Sequence, residues 1–226
     1  MLAEVPALGL LPPGVVRPGA MRLLEAAIVG FAERGYHGVS VRDLAADVGI
    51  KAASFYSHFT SKEALLHSLV ATAHRAHFQA LQAALLDAGT EPRDQLREVM
   101  RANVVFQARY PLLTIVANSE LHALSDDHRG EVVRLRHDSG LLFASIIERG
   151  NRLGAFACEH VWVAMSAIAS MGIRVAWWFR DQSTRDDGPL GAYADEAMAW
   201  LPEADHNIDA IADAYAEYAL LIVHAR

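Results

Sequence analysis

Apolar residues recur at spacings of three and four along almost the whole chain, and segments in which they alternate strictly with polar ones are nearly missing. That period gives each segment one apolar stripe on a 3.6-residue helix and offers no half-buried face for a sheet, so an all-α fold is expected. From Met21 to Arg34 the stripe is Leu24, Ala27, Ile28 and Phe31, and Gly35 supplies a stop. Ser40 stands before Val41 with Asp43 three residues on, a capping-box variant that opens a short helix carrying Leu44, Ala45 and Val48. Gly49 ends it, and Ala52 to Phe59 leaves room for only about two turns. Thr60 or Ser61 then caps a longer helix running through Leu65, Leu69 and Phe78 to Asp87. Beyond the break at Gly89 to Pro92, helices are predicted at about 92–109, 111–123, 126–150, 158–181 and 204–225, with 182–200 read as a loop. The expected architecture is about nine helices: three short ones, a long connector and a larger bundle.

At 226 residues and 53% hydrophobic content, the chain can bury a core without covalent staples. Cys158 is the only cysteine, which excludes a disulfide framework and any cysteine-only zinc site. The net charge of −7 excludes a histone-like bulk cation, but the charge is uneven. Residues 17–77 hold seven basic and five acidic side chains, whereas 78–226 hold 13 basic and 21 acidic ones. A mildly cationic module in front of an acidic body fits an anion-binding head on a domain with another task. Prolines 6, 12 and 13 and the lack of an initial positive cluster argue against a signal peptide. Val161 to Phe179 is almost wholly apolar, yet Arg174, Ser166, Ser170 and Gly172 favour a helix buried in protein over one in a membrane. A cytoplasmic protein is expected.

Two short helices joined by a glycine turn and braced by a preceding helix make a helix-turn-helix, whose second helix fits the major groove of DNA. Ala45 lets the two helices cross closely, Gly49 suits a left-handed turn, and Ile50 plugs the turn from behind. Residues 38–65 read GVSVRDLAADVGIKAASFYSHFTSKEAL, with Tyr56, His58, Phe59, Lys62, Glu63 and Leu65 as the most specific pattern. This block resembles the DNA-binding domain of the TetR family of bacterial transcriptional regulators over roughly residues 20–66. The proline-rich leader reads as a flexible tail over 1–18, and the resemblance implies a DNA-binding domain over 19–66 and a ligand-binding and dimerisation domain over 67–226. Ser40 and Arg42 are placed to meet phosphate at the start of the second helix. Lys51, Ala52, Ala53 and Ser54 open the recognition helix, where side chains reach base edges. Tyr56 and His58 lie on its polar side for phosphate oxygens, and Lys62 is expected as a point charge for the DNA backbone. The family usually has serine or threonine where Lys51 stands. Lysine cannot cap in that way, so an altered base preference is expected.

The acidic remainder should hold a dimer interface and a pocket. The resemblance places the two-fold contact on the last two helices, about 158–181 and 204–225. The first is apolar nearly all round, and the second repeats Ile208, Ile211, Tyr215 and Ile222. Candidate pocket residues are Phe106, Tyr110, Leu113, His122, Phe143, Ile147, Trp162, Met165 and Trp177, a lining suited to a hydrophobic effector. Much of such a stock is core in any bundle. An aromatic or drug-like compound fits, and so does an acyl-CoA or fatty-acid-like one, given a loose similarity of the C-terminal part to TetR-type repressors of lipid or sterol catabolism. His67, His74 and His77 share a face but lack a completing carboxylate or cysteine, so packed histidines are expected and no metal, cofactor or catalytic residue is assigned. The function expected is a ligand-responsive regulator, a repressor released from a palindromic double-stranded DNA operator. A helical small-molecule carrier or cofactorless enzyme with a degenerate helix-turn-helix is the alternative.

Overall fold

The computed structural model describes residues 18–179 and 207–224. The readings of a tail before residue 18 and of a loop at 182–200 lie outside the described residues. Among those described there are nine α-helices: α1 Pro18–Arg34, α2 Val41–Asp47, α3 Ala52–Phe55, α4 Lys62–Asp87, α5 Pro92–Arg109, α6 Pro111–Ser119, α7 Asp126–Arg152, α8 Val161–Trp178 and α9 Ile208–Ile222. A short 3-10 turn, Leu121–Ala123, stands where the sixth helix was expected to continue.

The chain divides into two compact units, residues 1–76 with 112–134, and residues 77–111 with 135–226. The first is thus larger than the 19–66 segment read from the motif, because α6 and the first part of α7 join it. Its buried side chains include Leu23, Leu24, Ile28 and Phe31 of α1, Leu44 of α2, Phe55 of α3 and Leu65 and Leu66 of α4. The first turn of α4 is capped by Ser61, whose hydroxyl accepts from the Ala64 N–H at 2.9 Å. Further along, the imidazoles of His67 and His128 stack with ring centroids 3.8 Å apart. Each has its own carboxylate: His67 Nε2 lies 3.0 Å from Glu131, and His128 Nδ1 lies 2.8 Å from Glu63. Burial opposes ionisation of Glu63, but bonds from the Ser125 N–H and from His128 hold its carboxyl below the usual carboxylate range.

In the second unit α5 packs most extensively on α9 and next on α8. The core joins Leu96, Met100 and Val104 of α5 to Phe143 and Ile147 of α7, Ile168 and Val175 of α8, and Ile211, Ala216 and Leu220 of α9. Arg97 reaches Glu217 at 3.0 Å, and Arg101 pairs with Asp213, tying α5 to α9 at the surface. Helix α8 is long and apolar enough to cross a membrane by length and composition. Its buried positions, Ala164, Ile168, Gly172, Val175 and Ala176, nonetheless fall on one stripe that faces the unit's own core.

Candidate nucleic-acid interface

Both ends of α2 are fixed by local bonds. The Ser40 N–H donates to Asp43 Oδ2 at 2.7 Å, and the Asp43 N–H donates to Ser40 Oγ at 3.2 Å, which completes the capping box. The backbone and hydroxyl bonds from Ser40 hold the Asp43 carboxyl below its ordinary range. At the other end Gly49 takes φ +71°, its N–H donates to Ala46 O at 3.0 Å, and the Ile50 N–H donates to Ala45 O at 2.9 Å. Those two bonds form a Schellman motif, which needs the left-handed conformation that glycine adopts without strain. The angle between α2 and α3 is therefore set by the four residues Val48 to Lys51.

Helix α3 is shorter than expected, four residues of α-helix extended by tight turns. The His58 and Phe59 N–H groups both donate to Phe55 O, at 2.9 and 3.1 Å, so the coil continues to Phe59 in a mixed geometry. Lys51 occupies the N-cap with extended backbone and makes no side-chain cap bond, as its chemistry requires. Phe55 is fully buried and anchors the helix, while Lys51, Ala53, Ser54 and Tyr56 are exposed, Tyr56 by 60%. Ser40 and Arg42 at the start of α2 are exposed as well, and Ala52 is half-buried.

Two expected contacts look different in the structure. The His58 imidazole is half-buried against the start of α1, where a Cβ on Gly19 would lie 2.7 Å from its Cε1 and Nε2, and its Nδ1 is enclosed with no partner among the described residues. It is turned inward instead of lying free on the polar face. Lys62 donates to Tyr36 O at 2.8 Å and Val39 O at 2.6 Å, with its ammonium 3.9 Å from the Tyr36 ring centroid. Burial lowers its pKa, with Asp43 and Glu120 opposing that shift. Two of its three N–H donors are taken up inside the unit, so its first role is to brace the turn between α1 and α2. Sequence could not show this, because the carbonyls it meets lie more than twenty residues earlier in the chain.

The residues expected to line a pocket divide in the same way. Phe143 and Ile147 are fully buried in the core of the second unit, with Phe106 buried and Met165 partly so. Trp162, at the start of α8, is 53% exposed. Trp177 is half-buried with the Arg174 guanidinium 4.9 Å from its ring centroid. Tyr110 is half-buried, 5.1 Å from Phe106 between ring centroids. Leu113 and His122 belong to the first unit; Leu113 is buried, and His122 is an exposed ring bonded to Ser119 O. Of the α9 residues expected at an interface between copies, Ile211 is buried in the core of the second unit, and Ile208, Tyr215 and Ile222 are half-buried against it. The three histidines of α4 are all partnered, His67 by Glu131, His74 by Ala117 O and His77 by Asn103.

A helix-turn-helix with a rigid frame and an exposed second helix defines a DNA-binding module. The comparisons carry this further. Residues 23–69 match the family described as bacterial regulatory proteins, tetR family, and residues 89–193 match the tetracyclin repressor-like C-terminal domain. The chain is 27% identical over 171 residues to the HTH-type transcriptional repressor KstR2 of Mycolicibacterium smegmatis, covering 75% of this chain and 81% of that one. A solved regulatory protein of the tetR family from Rhodococcus RHA1 superposes with a TM-score of 0.78 at 27% identity, over 93% of this chain and all of that one. AibR, solved in complex with isovaleryl coenzyme A and operator DNA, shares the fold with a TM-score of 0.66 at 20% identity, over 81% of this chain and 98% of its own. The chain belongs to the TetR family of bacterial transcriptional regulators. It is a DNA-binding, ligand-responsive regulator.

Proposed function

We propose that the protein is a cytoplasmic repressor that binds a palindromic operator as a homodimer and leaves it when a hydrophobic small molecule binds the second unit. The observation that carries this reading is the exposed set of Arg42, Lys51, Ala53, Ser54 and Tyr56 on a frame fixed by the capping box and the Schellman turn. Arg42, Lys51 and the Tyr56 hydroxyl supply phosphate contacts, with the Ser40 hydroxyl beside them. Ala53 and Ser54 meet base edges, and alanine offers only apolar contact such as that to a thymine methyl. His58 and Lys62 support the site from within.

The dimer face follows from what the second unit leaves uncovered. On α8 the exposed stripe is Trp162, Val163, Ser166, Ala167 and Ser170, and on α9 it is Ala210, Ala214, Tyr218 and Leu221. Large apolar side chains beside small ones suit close packing against a second copy. Two recognition helices must then reach successive major grooves about 34 Å apart. An acyl-CoA-like effector is supported by the ligand of AibR, and binding of the effector shifts the population away from dimers with that spacing.

The experiment is retention of duplex fragments from the region flanking the protein's own gene at low salt. The expected result is one retained fragment, lost with Tyr56→Ala. Retention of none, with Tyr56→Ala indistinguishable from wild type, refutes the reading.

A further inference from the structure

Among the described residues of the second unit, one buried side-chain oxygen has no hydrogen-bond partner. Gln107 of α5 is only 3% exposed, and its side-chain oxygen Oε1 accepts no hydrogen bond. An enclosed carboxamide oxygen without a donor costs about 1–3 kcal/mol, so its presence needs a reason. The polar groups around it in the sequence are already satisfied. Asn103, one turn earlier on the same face of α5, donates to Ala169 O through Nδ2 at 3.4 Å. Its Oδ1 therefore faces His77 of α4, whose Nε2 lies 2.9 Å away and must carry the proton. Burial pushes the His77 pKa down to about 4, so the ring is neutral, yet it keeps accessible surface. Opposite Asn103, α8 carries Gly172, where a Cβ would overlap the asparagine amide. The Phe106 ring lies 5.2 Å from His77 between centroids and walls this polar strip with apolar surface.

We propose that Gln107 is a ligand-recognising residue of the effector site, and that the effector presents a neutral hydroxyl or amide N–H, carried on an apolar body, to Gln107 Oε1. A carboxylate at that point brings no proton to donate and sets two acceptors against each other. This rests on the regulator reading for the word effector only; the site itself rests on the orphaned oxygen. A group built to bond a ligand hydroxyl discriminates strongly against an analogue that lacks it, because the buried acceptor is then left unpaired.

The test uses the full-length chain and a matched pair of probes, 4-hexylphenol and 4-hexylanisole, which differ in the donor proton and a methyl group. Titration calorimetry is expected to show the phenol binding at least tenfold tighter. Gln107→Met should bring the two to within about twofold, chiefly by weakening the phenol. Equal affinity of wild type for both probes, binding of neither, or a preference unchanged in Gln107→Met overturns the proposal. Should Gln107→Met not fold by circular dichroism, the wild-type ratio alone decides. Operator-region duplex retention is measured in parallel without probe. Retained duplex with no phenol preference refutes the Gln107 site and leaves the regulator, whereas a phenol preference without any duplex retained does the reverse.

Discussion

The neutral histidine of α4 makes acid stability a direct reading of the second unit's interior. His77 has its pKa pushed from the ordinary 6.5 to about 4, because burial penalises the charged ring and the nearby Arg136 cation adds to that, with the Asn103 bond opposing. In the unfolded chain the ring takes up a proton as the pH falls through 6.5, while in the folded chain it stays neutral until about 4. The folded state therefore loses stability across that window, keeps it undiminished above 6.5, and loses no more from this group below about 4. At about 1.4 kcal/mol per pH unit the interval amounts to about 3 kcal/mol. A His77→Gln variant keeps an N–H donor for Asn103 and cannot titrate. Urea unfolding followed by tryptophan emission isolates the effect, since all four tryptophans of the chain fall within residues 135–226 and the first unit contains none. Subtracting the variant removes every other histidine and the carboxylates Asp43 and Glu63, whose lowered pKa values add stability at neutral pH that is lost as the pH falls through the carboxylate range. The wild-type chain should lose about 3 kcal/mol more than the variant between pH 7 and pH 4. Parallel stability curves, or a His77 ring proton titrating near 6.5 by NMR, would refute the reasoning.

Ser40→Ala removes the hydroxyl half of the capping box and should cost the first unit about 1 kcal/mol, read as a fall in its thermal midpoint by circular dichroism. Gly38→Ala places a Cβ against the Arg34 backbone carbonyl, which has no flexible end to yield, so a loss of about 1–3 kcal/mol is expected in the same measurement. Arg42→Gln should leave the thermal midpoint within about 0.5 kcal/mol of wild type, because the side chain is exposed. It should lower the slope of log affinity against log salt by about 0.9 in duplex titrations, and an unchanged slope would remove Arg42 from the phosphate contacts.

Much of the site was legible because it is encoded over short distances. Ser40 with Asp43, Gly49 with Ile50, and Ser61 with Ala64 are signals confined to a few neighbouring residues, and each turns into the bond its spacing implies. What the sequence could not give is direction across the fold. Helix α9 has two stripes, and hydrophobicity drew attention to Ile208, Ile211, Tyr215 and Ile222, which face the core. The outward stripe is marked by alanines 210 and 214, too small to stand out by composition. Lys62 looked like a surface cation because only the folded chain brings the Tyr36 and Val39 carbonyls to it. Gln107 carried no sequence signal, since an orphaned oxygen exists only once its surroundings are built.

The uncapped start of α3 has an evolutionary side. The turn that aims this helix is made of backbone bonds and a glycine, and Phe55 is its one fully buried side chain. Lys51, Ala53 and Ser54 are exposed, and the Lys51 side chain makes no capping bond. Substitutions there change what the helix says to DNA without loosening the scaffold that presents it. A chain built this way can be retargeted to a new operator by a few replacements on one face, with little stability at stake and no compensating change elsewhere.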